Sequence, residues 1–173
     1  MSRPLAYERA NALNAICPYF TMFPLEYPLR VLKRYRGKQQ VVMDPFCGRG
    51  TTLFAARKLG LVSRGVDSSP VAVAIAQAKL AAVNTEAILN LAQTFIQRYS
   101  AVKTPESDFF RHAYHPDVLP QLCAIRRGLL SVERESNESV VLRAAMLGCL
   151  HGPINKVPEN RAYFSNQMPR TFG

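Results

Sequence analysis

The run "VVMDPFCGRGTT", residues 41–52, constrains this chain more than any other stretch. Val41, Val42 and Met43 have the β-branched, apolar character of a buried parallel strand, and Asp44 ends it. Gly48 and Gly50 then turn the backbone. "TTLFAARKLG" follows as a helix, with Thr51 available as its N-cap and Gly60 as its stop. A strand that ends at an acid, turns on glycines and restarts as a helix can hold a small molecule at the helix N-terminus.

The same alternation continues downstream. "SRGVD" reads as a second strand, and "SSPVAVAIAQAKLAAV" as a second helix, with Ser69 as cap and Pro70 at the first helical position. Strand, helix, strand, helix predicts the start of a doubly wound parallel sheet. Upstream, the aromatics and prolines of "CPYFTMFPLEYP" predict an irregular, packed arm to about residue 28. From Pro28, "PLRVLKRYR" reads as a short helix stopped by Gly37. Beyond residue 84 the period changes, and no third strand of comparable quality appears. Ile88, Leu91, Phe95 and Tyr99 mark one amphipathic helix, Leu119, Leu122, Ile125, Leu129 and Val132 a second, and Val141, Leu142, Ala145, Met146, Cys149 and Leu150 a third. The expected organisation is therefore an arm and βαβα half over 1–84, a helical extension over 85–150 and an irregular tail over 151–173.

Composition narrows the functional classes. The four cysteines include no Cys-x-x-Cys pair, so neither a disulfide framework nor a zinc ribbon is indicated, and a reducing, cytoplasmic setting fits best. His112 and His115 lie three apart, but Pro116 follows and no third ligand is apparent, so no metal is expected. The N-terminus has no signal-like apolar core, and Gln77 and Lys79 interrupt the alanine-rich run, so no membrane span is expected. The net charge of +10 favours a polyanionic partner. Lys33, Arg34, Arg36 and Lys38 form the tightest basic cluster and are the candidate nucleic-acid contacts; cations at a helix C-terminus are also favourable in their own right.

Three ligands can use a strand-glycine-helix turn. A P-loop needs Gly-Lys-Ser/Thr, but Gly50 is followed by Thr51 and Thr52. A dinucleotide fingerprint needs Gly or Ala three places after Gly50, where Leu53 stands. S-adenosylmethionine remains. Its carboxylate suits the helix N-terminus, its ammonium suits Asp44, and its ribose hydroxyls suit Asp67, 23 positions on and at the end of the second strand.

"DPFCGRGTT" and "GVDSSPVAVAIAQAKL" resemble motifs I and II of the S-adenosylmethionine-dependent amino DNA methyltransferases, which modify the exocyclic amine of adenine or cytosine. "PYFTMFPLEYPLRVLKRY" resembles that family's motif X, which closes over the cofactor. The resemblance covers roughly residues 17–83. It implies a Rossmann-like methyltransferase fold, incomplete here and carrying a helical extension, in a cytoplasmic enzyme of the restriction-modification kind. It also implies a cofactor site drawn from Thr21, Phe23, Pro24, Asp44, Pro45, Phe46, Cys47, Gly48, Gly50, Thr51, Asp67 and Ser68. Cys47, with no base nearby in sequence, reads as a small filler rather than a nucleophile.

The family's chemistry resides in a later Asp/Asn/Ser-Pro-Pro-aromatic motif, and this sequence holds no Pro-Pro dipeptide. The resemblance therefore implies cofactor and DNA binding without a catalytic residue on this chain, which is then either a truncated product or one half of a split enzyme completed by a second chain carrying the catalytic motif. Two alternatives stand beside it: an RNA guanine amino methyltransferase, which carries a similar turn, and a non-catalytic partner subunit. The upstream "PYFTMFP" favours DNA.

Overall fold

A computed structural model describes residues 16–17, 24–114 and 116–150. Thr21 and Phe23 of the expected lid, His115 and the tail over 151–173 lie outside the described residues. The chain divides into two compact units, Met1–Ala82 and Val83–Gly173.

The first unit is a mixed α/β body. Helix α1 (Glu26–Leu32) begins two residues earlier than the proline-based expectation, and a 3-10 turn (Lys33–Tyr35) follows it. Pro28 fits inside because it falls in the first turn, where its missing N–H has no intrahelical partner to lose. Strand β1 (Val41–Asp44), helix α2 (Thr51–Lys58), strand β2 (Val62–Gly65) and helix α3 (Pro70–Leu80) complete the unit. The two strands pair in parallel, with Val41 opposite Val62 and Asp44 opposite Gly65.

Glycines set several of these boundaries. Gly37 and Gly60 adopt left-handed φ of 77° and 71° at the expected stops, and the Leu61 amide reaches back to the Ala56 carbonyl at 2.9 Å beyond the end of α2. Ser69 caps α3 by accepting from the Ala72 amide, with Pro70 at the first helical position. The N-cap of α2 departs from expectation. It is Gly50, with φ 70° and no side chain to offer, and Thr51 lies inside the helix and is buried.

Helix α2 covers one face of the sheet. A side chain at Gly65 would run into Leu53 Cδ1 at 2.6 Å, so Gly65, and by alternation Ser63, face α2. Leu25, Phe54 and Ala55 form the α1–α2 core, flanked by Leu29 and Leu32. Cys47, Leu53 and Ala76 form the α2–α3 core. Among the described residues nothing covers the other face of the sheet, and Val41, Met43, Val62 and Val66 are each more than half exposed.

The second unit is helical throughout its described residues: α4 (Thr85–Arg98), α5 (Asp108–Ala113), α6 (Leu119–Leu130) and α7 (Asn137–Leu150). The three amphipathic patterns fall on α4, α6 and α7, whereas no pattern in the sequence announces α5. Phe95, Leu129 and Leu142 make the core, with Ile88, Leu91, Ile125 and Met146 packed on it. Gly128 of α6 lies under the Phe95 ring, where an added Cβ would come within 2.2 Å of Phe95 Cγ.

Gly128→Ala is therefore expected to destabilise the protein despite alanine's better helix propensity, because overpacking costs about 1–3 kcal/mol against a gain of about 1 kcal/mol. Thermal unfolding followed by circular dichroism should show a lower midpoint for Gly128→Ala, and partial recovery when Phe95→Leu is added.

Candidate functional site

The parallel register places the carboxyl ends of β1 and β2 side by side, and each strand leaves into its own turn. The turns are tied together. The Val66 amide donates to the Asp44 carbonyl at 3.0 Å, and the Cys47 amide to the Val66 carbonyl at 2.9 Å. The Gly48 amide then donates to Asp67 Oδ2 at 2.8 Å, and the Ser69 amide to Asp67 Oδ1 at 2.9 Å. These bonds, from Ser69 first, then Gly48 and Ser68, hold the Asp67 carboxyl below its ordinary range by favouring the anion. Asp44, half-buried at the end of β1, accepts from the Phe46 amide at 3.2 Å.

The glycines of the turn have different duties. Gly50 needs its left-handed φ and also its bareness, since a Cβ there would sit 2.8 Å from the Ala76 Cβ on α3. Gly48, φ 48°, has no atom within 4 Å of its Cβ position, which is open space beside the Asp67 carboxylate. Helix α2 starts from this turn without a side-chain cap, so its first amides are left to an outside acceptor. A carboxylate, an open backbone approach and an uncapped helix N-terminus thus converge. That donor set fits the sugar hydroxyls and amino-acid end of S-adenosylmethionine.

The remaining expected site residues divide. Pro24, Pro45 and Ser68 are exposed, and Phe46 projects into solvent at 89% exposure. Cys47 is buried, and burial, then the Asp67 and Asp44 charges, push its thiol up, which keeps it protonated and inert. Cys17, at the head of the aromatic arm, is fully buried and close enough to Arg49 to act on it electrostatically. Arg126 and Arg127 of α6 are exposed, in keeping with a solvated helix face.

The unit also holds a residue that the sequence does not single out. Lys79 of α3 is fully buried, and burial, then the neighbouring Arg49 guanidinium, pull its ammonium down to about 8. In sequence it reads as a polar interruption of an alanine run. In the helical unit, a cleft of about 760 Å³ is lined by Thr104, Glu106, Phe110, Arg111 and Tyr114, and Arg111 pairs with Asp108. No group of three or more His, Cys, Asp and Glu positioned to hold a metal occurs among the described residues. No helix among them is long and apolar enough to cross a membrane.

With this geometry in view, the comparisons with known proteins are specific. Residues 3–78 match the family described as DNA methylase. The chain is similar to the Type II methyltransferase M.MjaII of Methanocaldococcus jannaschii, with 37% identity over 73 residues, 42% of this chain. The match spans only 14% of that relative's length. No solved structure matches the chain.

The turn and the buried lysine can each be probed by substitution. Gly50→Ala should cost about 2 kcal/mol or more, from left-handed strain of about 1–2 kcal/mol plus the collision with α3, whereas Gly48→Ala should cost only the strain. Chemical denaturation of the two variants should rank them in that order. Burial makes the Lys79 ammonium costly below about pH 8, and that cost is relieved as pH rises from about 8 towards the ordinary 10.5. The melting temperature of Lys79→Met relative to the unaltered chain should therefore fall as pH is raised across that window.

Proposed function

We propose that the N-terminal unit is the Rossmann-like, S-adenosylmethionine-holding part of a DNA methyltransferase acting on an exocyclic amine of adenine or cytosine. The observation that carries this reading is the Asp67 carboxylate bonded to the Gly48 amide at 2.8 Å beside an uncapped helix N-terminus. Asp67, with lone pairs left on both oxygens, would take the ribose hydroxyls. The α2 amides would take the carboxylate, and Asp44 the ammonium. Thr21, Phe23 and Pro24 would close over the pocket, and Pro45, Phe46, Cys47, Gly50, Thr51 and Ser68 would shape its wall. The cofactor supplies an electrophilic methyl group when bound. This chain's own residues bind and orient it, and no Pro-Pro-aromatic segment is present in the sequence to hold a target amine.

We further infer that transfer needs a complement from elsewhere, such as a second chain with the catalytic motif. The bare face formed by Val41, Met43, Val62 and Val66 supports this, since both faces of a parallel sheet are normally covered. The same face also suits a non-catalytic partner subunit. An RNA guanine amino methyltransferase would use the same pocket, and methyl transfer to a duplex rather than a structured RNA separates the two.

Calorimetry with S-adenosylmethionine tests the pocket. The unaltered chain should bind, and Asp67→Asn, which keeps an acceptor but loses the charge, should weaken binding about tenfold to a hundredfold, the worth of roughly 1.5–3 kcal/mol for a charged hydrogen bond. Gly48→Ala should weaken it while leaving the far-ultraviolet spectrum unchanged. A chain that is folded yet indifferent to the cofactor would sink this reading and leave the partner-subunit one.

A further inference from the structure

Charge is distributed unevenly along the chain. Residues 24–82 carry ten lysines and arginines against three acids, whereas residues 83–150 carry seven against seven. The excess over the described residues therefore belongs to the α/β unit. Within that unit the signs are separated by the direction of the strands. Asp44 and Asp67 stand at the carboxyl end of the sheet, at the end of β1 and just past the end of β2. Five exposed cations gather at the opposite end, whereas Arg49 stands in the glycine turn and Arg64 near the end of β2.

Lys33 and Arg34 lie in the 3-10 turn, and Arg36 and Lys38 in the connection that enters the amino end of β1 at Val41. Helix α2 runs back from the glycine turn and delivers Lys58 to the same end, just before Gly60 turns the chain into β2. All five are exposed. Arg57, beside them in sequence, is committed elsewhere, since its guanidinium donates to the carbonyls of Lys79 and Ala81 at the C-terminal end of α3.

Aromatic rings steady three of the five. The Arg34 guanidinium lies 5.2 Å and the Lys38 ammonium 5.7 Å from the centre of the Tyr35 ring, and Lys58 lies 5.4 Å from that of Phe54. Such neighbours restrain long side chains without neutralising them. The segment Lys33–Gln40 offers one large apolar surface, Tyr35, too little for the dry core of a protein interface. Its two arginines have the planar donor geometry that phosphate oxygens accept.

We propose that the amino end of the sheet is a second binding surface, for the phosphodiester backbone of duplex DNA, at the opposite end of the unit from the methyl-donor pocket. Lys33, Arg34, Arg36, Lys38 and Lys58 form it. A four-residue strand is about 13 Å long, so the phosphates held there lie about that far from the pocket or farther. The surface positions flanking duplex and reads no base. Its choice of partner rests on the DNA methyltransferase reading, but donor binding plays no part in it.

Fluorescence anisotropy with a labelled duplex of arbitrary sequence tests the surface, using the full chain and the combined variant Lys33→Gln, Arg34→Gln, Arg36→Gln, Lys38→Gln. The variant should bind at least about tenfold more weakly at low salt, and the slope of log affinity against log salt should fall by up to about 3.6, near 0.9 for each of the phosphates no longer neutralised. The comparison variant Arg126→Gln, Arg127→Gln should leave both quantities unchanged. An unaltered slope in a folded quadruple variant, or an equal weakening in the comparison variant, overturns the proposal. Binding of poly-glutamate as tight as that of the duplex also overturns it, in favour of an acidic protein partner. Calorimetry on the same samples keeps the two readings distinct: a chain that ignores the methyl donor but loses duplex binding in the quadruple variant refutes the pocket and supports this surface.

Discussion

The hydrogen bond from the Gly48 amide to the Asp67 carboxylate makes one site out of two turns. It adds a side-chain tie to the backbone bond from the Cys47 amide to the Val66 carbonyl that already joins the turn after β1 to the turn after β2. With it, the carboxylate satisfies an amide at the head of the glycine turn and, through Ser69, an amide at the start of α3. The tie depends on the register that sets Asp44 opposite Gly65. That register in turn needs Gly65 to lack a side chain, because Leu53 and the Cys47 Cβ, at 2.6 and 2.9 Å from its would-be Cβ, occupy the space. Local backbone bonding also keeps Asp67 ionised, so the acid is ready for a hydroxyl donor without help from a neighbouring cation.

Much of the arrangement is legible in the sequence because it is local. Ser69 followed by Pro70 announces a helix start, Gly37 and Gly60 announce stops, and the heptad-like spacing of Ile88, Leu91, Phe95 and Tyr99 announces a buried face. The misreadings arise where distant residues decide. Thr51 reads as the cap of α2, but the close approach of Ala76, 26 positions away, demands a bare left-handed residue at Gly50, which takes the cap position itself. Lys79 reads as a solvated interruption, and only packing shows it buried. Helix α5 escapes notice because six residues between Pro105 and Pro116 are too few to display a period. Nothing in the helical pattern reveals that Gly128 serves as the floor for the Phe95 ring.

The strand "VVMD" reads as apolar on both faces, as a strand buried on both sides should. The structure accounts for only one of them. Val42 and Asp44, on the face of Gly65, are half-buried, while Val41 and Met43 meet water together with Val62 and Val66. Apolar surface contributes about 25 cal/mol for each Å² removed from water, so an uncovered sheet face is a standing drive for association. The sequence thus anticipates a cover that the described residues do not supply.

The proposed pocket for S-adenosylmethionine, which carries a net positive charge, is at first sight at odds with a unit whose described residues hold ten cations to three acids. Screening resolves the conflict. The Debye length at physiological salt is about 8 Å, shorter than the roughly 13 Å of a four-residue strand, so the cations beyond the amino end of β1 are largely hidden from the pocket at its carboxyl end. Strand direction therefore does more than order the elements. By sending α2 back alongside the sheet, it keeps the acids at one end and Lys58 with the Lys33–Lys38 cluster at the other, which is the separation that the proposed cofactor pocket and the proposed duplex surface both require.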